Sequence, residues 1–289
     1  HSQDWEVPKL SERDWVILDS SKGDNYHKRN ILFITQIGSY TLTIAGLNFL
    51  WYENYQRSRF HFVNDNKSWL QMDKLGHATT SYYMGVAGIE AYKWADMGEK
   101  KAIWFGGLSG TFFLTAVEVL DGYSKEWGAS IGDLTANTLG SALCVSQALL
   151  WGEQKIHLKY SYSYSPWVRE NPSILGGNKL ESMLKDYNGQ NYWLTFNLKS
   201  LFSIQDSYFP SWLSFAFGYG ADGMLNPQHQ NSDPIRNRQY LFSFDIDLNR
   251  IKTKNSFVNS ILYTFGFLKF PLPAIELSDG KFITHTVYY

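Results

Sequence analysis

The residues that could do chemistry lie in three polar motifs within otherwise apolar sequence. In chain order, the motif residues are Asp73, His77, Glu118, Asp121, Asp133 and Asn137. The two members of each motif are three or four positions apart, which places them on one face of a helix. Buried polar groups are costly unless they pair or bind a metal. The sequence therefore predicts a shared site, and carboxylates with one imidazole suit a divalent ion such as Zn, Mn, Fe or Mg.

Most of these residues also have a purely structural interpretation. Ser130 and Asp133 fit a capping box, in which Asp133 satisfies a backbone donor at a helix start. Asp73 fits the first turn of a helix, where the helix dipole favours a carboxylate. A single His77 fits a hydrogen-bonded core histidine. Glu118 is harder to explain this way because apolar residues surround it.

Four helices are predicted to position the motifs, at about 31–51, 68–95, 101–120 and 130–151. The first is long enough to cross a bilayer, but Gln36, Asn48 and several hydroxyl residues dilute its apolar character. A core helix of a bundle is therefore favoured over a lone transmembrane helix. If the helices pack as a bundle, their polar pairs can converge on one internal site.

From about residue 157 the pattern changes to alternating aromatic and polar residues, as expected for strands. The clearest example is 240–249, and further strands are predicted at 260–270 and 281–289. One aromatic and one polar face are typical of outer-membrane barrels, although six or seven strands are fewer than the eight or so that such barrels use. A soluble antiparallel sheet covering the helices is the alternative.

The predicted fold class is thus α+β, with about four bundled helices followed by an antiparallel sheet of outer-membrane-barrel type. Residues 1–26 are predicted as an extended arm, 27–154 as a helical domain and 155–289 as a β domain. The net charge of −1 argues against a nucleic-acid partner. The aromatic content of 17% favours a membrane context. The start at His1 is interpreted as a mature end after removal of a signal peptide.

The motifs resemble those of the YfiM-type family of predicted periplasmic or outer-membrane proteins of unknown function. The matching positions are Asp73, Lys74, His77, Glu118, Asp121, Gly122, Trp127, Gly128, Ser130, Asp133 and Asn137. The order of motifs is more loosely similar to the VanZ-like helical membrane proteins, but the Gln and Arg expected between the second and third motifs are absent. The resemblance implies an envelope protein and supplies no established reaction.

The leading hypothesis is an accessory or structural subunit of a bacterial outer-membrane complex, whose partners are outer-membrane lipid and other envelope proteins. Its polar or metal site would stiffen the helices. The alternative is a metal-dependent hydrolase or transferase acting on envelope lipid or peptidoglycan material, with Glu118 or Asp133 as the base. The sequence assigns no catalytic residue beyond this alternative.

Overall fold

A computed structural model describes residues 26–49, 56–206, 208–231 and 233–288. The described chain is α+β and divides into two compact units. The helical unit contains the described residues of 26–66 and 74–152, and the sheet unit contains those of 67–73 and 153–288. The predicted N-terminal arm lies outside the described residues except for Tyr26, which begins the first helix.

The helical unit is built mainly from long helices that the sequence breaks at defined points. The helices are α1 Tyr26–Leu47, α2 Met72–Trp94, α3 Glu99–Lys101, α4 Ser109–Gly122 and α5 Ile131–Trp151. A π-helical turn, Ala102–Gly106, precedes α4. The side chain of Ser130 caps the start of α5, and Gly152 ends it at a φ of 70°, a conformation that favours glycine.

Two short strands lie in the segments that connect these helices. Strand β1, Phe62–Val63, pairs in parallel with β2, Ala129–Ser130. This pairing holds the segment after β1 beside the first turn of α5. It is the reason that residues distant in sequence meet at the site described below.

The predicted four-helix bundle is not found in the described chain. Within α1 only Leu32 is buried, where it packs with Tyr92 and Ala95, so most of this helix lies outside a bundle core. The other half of the chain also contains helices: α6 Pro172–Leu175, α7 Lys179–Lys185, α8 Leu198–Leu201 and α9 Ser256–Thr264. The α+β class was correct, but the arrangement of the helices was wrong.

The sheet unit contains one antiparallel meander in which each strand pairs with the next along the chain. Its strands are β3 Ile156–Tyr162, β4 Gln190–Asn197, β5 Leu213–Asp222, β6 Asn237–Ile246, β7 Leu272–Ser278 and β8 Lys281–Tyr288. The alternating sequence also sorts the side chains by face. Lys159 and Asp245 are fully buried as an ion pair of 2.6 Å, whereas Phe217 and Tyr240 are exposed.

The predicted outer-membrane-barrel type of the sheet is wrong, because β3 and β8 are the two ends of the strand order and the sheet stays open. Six paired strands are fewer than a single-chain barrel uses. The strand predicted at 260–270 is also wrong, since its first five residues belong to α9 and the rest form no strand. The Asn255 side chain accepts hydrogen bonds from the Phe257 and Val258 amides and so starts a helix there.

Candidate functional site

Three potential metal ligands, one from each of three helices, converge in the helical unit. His77 on α2, Glu118 on α4 and Asp133 on α5 each bring one ligand atom within 4.8 Å of the others. His77 Nε2 lies 3.8 Å from Glu118 Oε1 and 3.9 Å from Asp133 Oδ1. Glu118 and Asp133 are buried, and the His77 side chain is 23% exposed. The cluster therefore has one side that solvent can reach.

The start of α5 explains how the two carboxylates are oriented. The Asp133 amide donates to Ser130 Oγ at 3.1 Å, which is the helix cap predicted from the sequence. The reciprocal bond of a capping box comes from a different residue, since the Ser130 amide donates to Glu118 Oε2 at 2.9 Å. Glu118 thereby fixes α4 to the start of α5, and the Asp133 carboxylate faces other partners.

Those partners are a lysine and a third carboxylate. Lys74 Nζ lies 3.0 Å from Asp133 Oδ1 and 2.7 Å from Asp65 Oδ2. Although burial alone would raise it, the pKa of Asp65 is lowered by hydrogen bonds from Lys74 and Ser130. A single ammonium thus bridges the Asp133 carboxylate of the cluster and the neighbouring Asp65 carboxylate.

The histidine is held in an orientation suited to a ligand. His77 Nδ1 lies 3.0 Å from Asn137 Oδ1, and a carbonyl oxygen can only accept a hydrogen bond. Nδ1 is therefore the donor, which leaves Nε2 of the neutral ring with a lone pair directed at the carboxylates. Asn137 is fully buried, and its Nδ2 has no hydrogen-bond partner among the described residues.

The electrostatics of the cluster favour an added positive charge. The pKa of the Glu118 carboxyl is raised to about 8, chiefly by burial and also by the nearby carboxylates of Asp133, Asp121 and Asp65. The hydrogen bond from the Ser130 amide acts in the opposite direction. Glu118 is thus favoured in its protonated form unless a cation lies next to the carboxylate.

The structure places the predicted site residues unequally. His77, Glu118, Asp133 and Asn137 come together, whereas Asp121 lies almost one turn beyond Glu118, outside the converging set. Asp73 is buried in the first turn of α2 and is grouped with the sheet unit. Sequence reasoning missed Asp65, which follows a two-residue strand and has no periodic pattern around it. The parallel pairing of β1 with β2 brings it to the site.

Residues 61–148 match a family model described as "Predicted periplasmic lipoprotein (DUF2279)". The match covers less than a third of the chain and includes all three ligand positions of the site. No curated protein and no solved structure matches the chain. The match supports an uncharacterised periplasmic family, as the motifs led us to expect. It confirms neither the resemblance to the YfiM-type family nor the looser similarity to VanZ-like proteins. It supports an envelope association for this protein.

Proposed function

We propose that this protein is an accessory protein of the bacterial outer membrane whose helical unit binds one divalent cation through His77, Glu118 and Asp133. The observation that carries the proposal is the convergence of three ligand atoms, from three different helices, within 4.8 Å. A cation bound there links α2, α4 and α5 at one point. Its role is to hold these helices together.

The charge balance at the cluster supports the proposal. Glu118, Asp133 and Asp65 contribute three carboxylates, and Lys74 is the ammonium paired with two of them. Buried carboxylates in excess of their cationic partners are costly. A divalent ion at the ligand atoms would offset the charge that Lys74 leaves uncompensated.

The donor set indicates which ions fit. One imidazole nitrogen with carboxylate oxygens suits Zn²⁺, Mn²⁺ or Fe²⁺, whereas Mg²⁺ prefers oxygen donors alone. Asn137 supports ligation by His77, because a hydrogen bond to the remote ring nitrogen is the usual way of fixing a metal-bound imidazole. The buried Nδ2 of Asn137 can donate to a water or ligand oxygen beside the ion.

A metal-dependent hydrolase or transferase acting on envelope lipid or peptidoglycan material is the second candidate. The partial exposure of the His77 ring favours it, because catalytic sites combine three protein ligands with a position open to water or substrate. In that case the cation would lower the pKa of a bound water, and the protein would show metal-dependent turnover. The accessory role instead requires a folding or assembly defect when the site is removed.

We also propose that this protein is attached to the outer membrane through contacts with its lipid or its proteins. The family match supports the envelope as the compartment. The exposed aromatic residues on one face of the sheet, among them Phe217 and Tyr240, support a surface that contacts lipid or protein. Fractionation of the producing cells tests this part: recovery with the outer membrane supports it, and recovery as a free periplasmic protein contradicts it.

The cation site is tested by calorimetric titration of the metal-stripped protein with Zn²⁺ and Mn²⁺. We expect one equivalent to bind, and we expect His77→Ala and Glu118→Ala each to abolish this binding. The matched controls are His61→Ala and Glu126→Ala, which change the same residue types in the same unit but outside the cluster. Unchanged binding in the two site variants, or equal losses in the controls, would contradict the proposal.

A further inference from the structure

The helices of the helical unit share a belt that contains no charged residue. Neither Asp, Glu, Lys, Arg nor His occurs in four stretches of these helices and their immediate ends, at 30–49, 78–89, 102–117 and 134–151. At 1.5 Å per residue, the stretches correspond to about 18 to 30 Å of helix. The longest matches the thickness of about 30 Å of a bilayer's hydrocarbon core.

Charged residues lie at the two ends of this belt. At one end the start of α2, the end of α4 and the start of α5 bring Lys74, Glu118 and Asp133 together. At the other end Lys28, near the start of α1, pairs with Asp96 at 3.3 Å, just after the end of α2. The belt is therefore a property of the folded unit as well as of each separate helix.

The outward faces of the belt are apolar, although they are exposed. Leu42 on α1 is 75% exposed, Leu139 on α5 is 63% exposed, and Phe112 on α4 is also exposed. Other polar side chains of the belt lie inside, where the buried Ser81 Oγ donates to the Asn137 carbonyl and contacts the buried Ser141 Oγ at 2.9 Å. A helix that faces water normally has the opposite distribution.

Several hydroxyl groups on the outward faces bond within their own helices. Thr43 donates to the Ser39 carbonyl, Thr135 to the Ile131 carbonyl and Thr138 to the Leu134 carbonyl, each at 2.8 Å; these pairs sit on α1 and α5. These groups do not need water, which is the condition that hydrocarbon imposes on polar groups.

The helices also pack through small residues. A Cβ at Gly88 would lie 2.3 Å from the Gly106 carbonyl oxygen, and one at Gly140 would lie 2.1 Å from that of Ala78. The backbones can approach this closely only because these positions are glycine. Close backbone contact through small residues is the usual way in which helices associate in membranes, where the hydrophobic effect does not drive helices together.

From these features we infer that the helical unit lies within a lipid bilayer, with acyl chains against the belt. Hydrocarbon is the occupant that needs no charge, no hydrogen bond and no shape complementarity from the exposed face. The candidate cation site then lies at one edge of the belt, next to the water-facing side. The inference stands whether or not that site binds a cation.

Spin labels at single cysteines test this inference in the full chain, reconstituted into phospholipid vesicles. The labelled variants are Leu42→Cys and Leu139→Cys in the belt, and Tyr123→Cys as the control, which is 48% exposed and lies beyond the belt. The buried Cys144 is kept, and the unsubstituted chain gives its background. Collision rates are measured with oxygen, which concentrates in hydrocarbon, and with a water-soluble nickel chelate.

We expect oxygen collisions to exceed nickel collisions at positions 42 and 139, and the order to reverse at 123. Nickel-dominated collisions at 42 and 139 would show that the belt faces water and would overturn the inference. Low collision rates with both reagents would show that another protein covers the belt, which also overturns it. If the chain made by the bacterium lacks α1, the helix is a removed signal sequence, and the inference fails for α1.

Discussion

Lys74 provides a sharp prediction because it has opposite effects on the cation-free and the cation-bound protein. Its ammonium lies 3.0 Å from Asp133 Oδ1, one of the proposed ligand atoms. A metal–oxygen bond adds about 2 Å, so the ammonium and a bound cation are at most about 5 Å apart. We expect Lys74→Met to remove this repulsion and to tighten cation binding.

The size of the effect follows from Coulomb's law. A single and a double positive charge about 5 Å apart repel each other by about 1.7 kcal/mol even at the dielectric constant of water. Removing that repulsion tightens binding by about 15-fold at least, since 1.4 kcal/mol corresponds to about a factor of ten. Without a cation the same variant leaves Asp65 and Asp133 without the ammonium that bridges them, so its melting temperature falls.

Calorimetric titration of Zn²⁺ into Lys74→Met measures the first effect, and thermal unfolding of the metal-stripped protein measures the second. Lys101→Met is the matched control. Lys101 is exposed and lies at the end of α3, whereas Glu118 lies near the far end of α4. We expect this control to change neither quantity. If Lys74→Met binds Zn²⁺ with unchanged or weaker affinity, the placement of the cation beside Asp133 is refuted.

Three further predictions concern the rest of the molecule. Asp245→Asn should destabilise the sheet unit by about 3 to 5 kcal/mol in urea unfolding, because Lys159 would then be a buried charge without its partner. The comparison is the double variant that combines Lys159→Met with Asp245→Leu and so removes both charges. A smaller loss of stability in Asp245→Asn than in this double variant would contradict the prediction. Burial lowers the pKa of Lys269 to about 8, so the unfolded chain binds more protons between about pH 8 and 10.5, and stability should rise with pH there. Melting curves from pH 8 to 10 should show a flatter rise for Lys269→Met, and an unchanged slope would refute the assignment. Gly88→Ala should cost about 1 to 3 kcal/mol through overpacking, whereas Gly46→Ala, which meets nothing within 4 Å, should stabilise by up to about 1 kcal/mol in the same measurement.

The pairing of polar residues at helical spacing predicted much of the candidate site. His77, Glu118 and Asp133 converge because each lies near the end of a long helix, and these ends meet. Helical spacing could not predict Asp65, whose position depends on two-residue strands paired across 67 positions. It also could not show that Glu118, and not Asp133, accepts from the Ser130 amide, since that contact depends on how two helices pack.

The fold was predictable where the pattern is local. Alternation located the strands around 157–164, 192–199, 212–219 and 240–249, because side chains alternate between the faces of a strand. Closure was not predictable, since it depends on whether the first and last strands pair, and in the structure they do not. The bundle prediction failed at α1, because an apolar helix has the same sequence signature whether protein or another medium surrounds it.

The central claim is that the helical unit binds a cation, and metal content tests it most directly. The protein is purified from the membranes of its host without added metal, and its zinc, manganese and iron are measured by elemental mass spectrometry. We predict about one metal ion per chain in the wild type and none in the variant that combines His77→Ala with Glu118→Ala. A wild-type protein without metal, or a variant that retains it, would contradict the claim and leave the cluster as a buried hydrogen-bonded network.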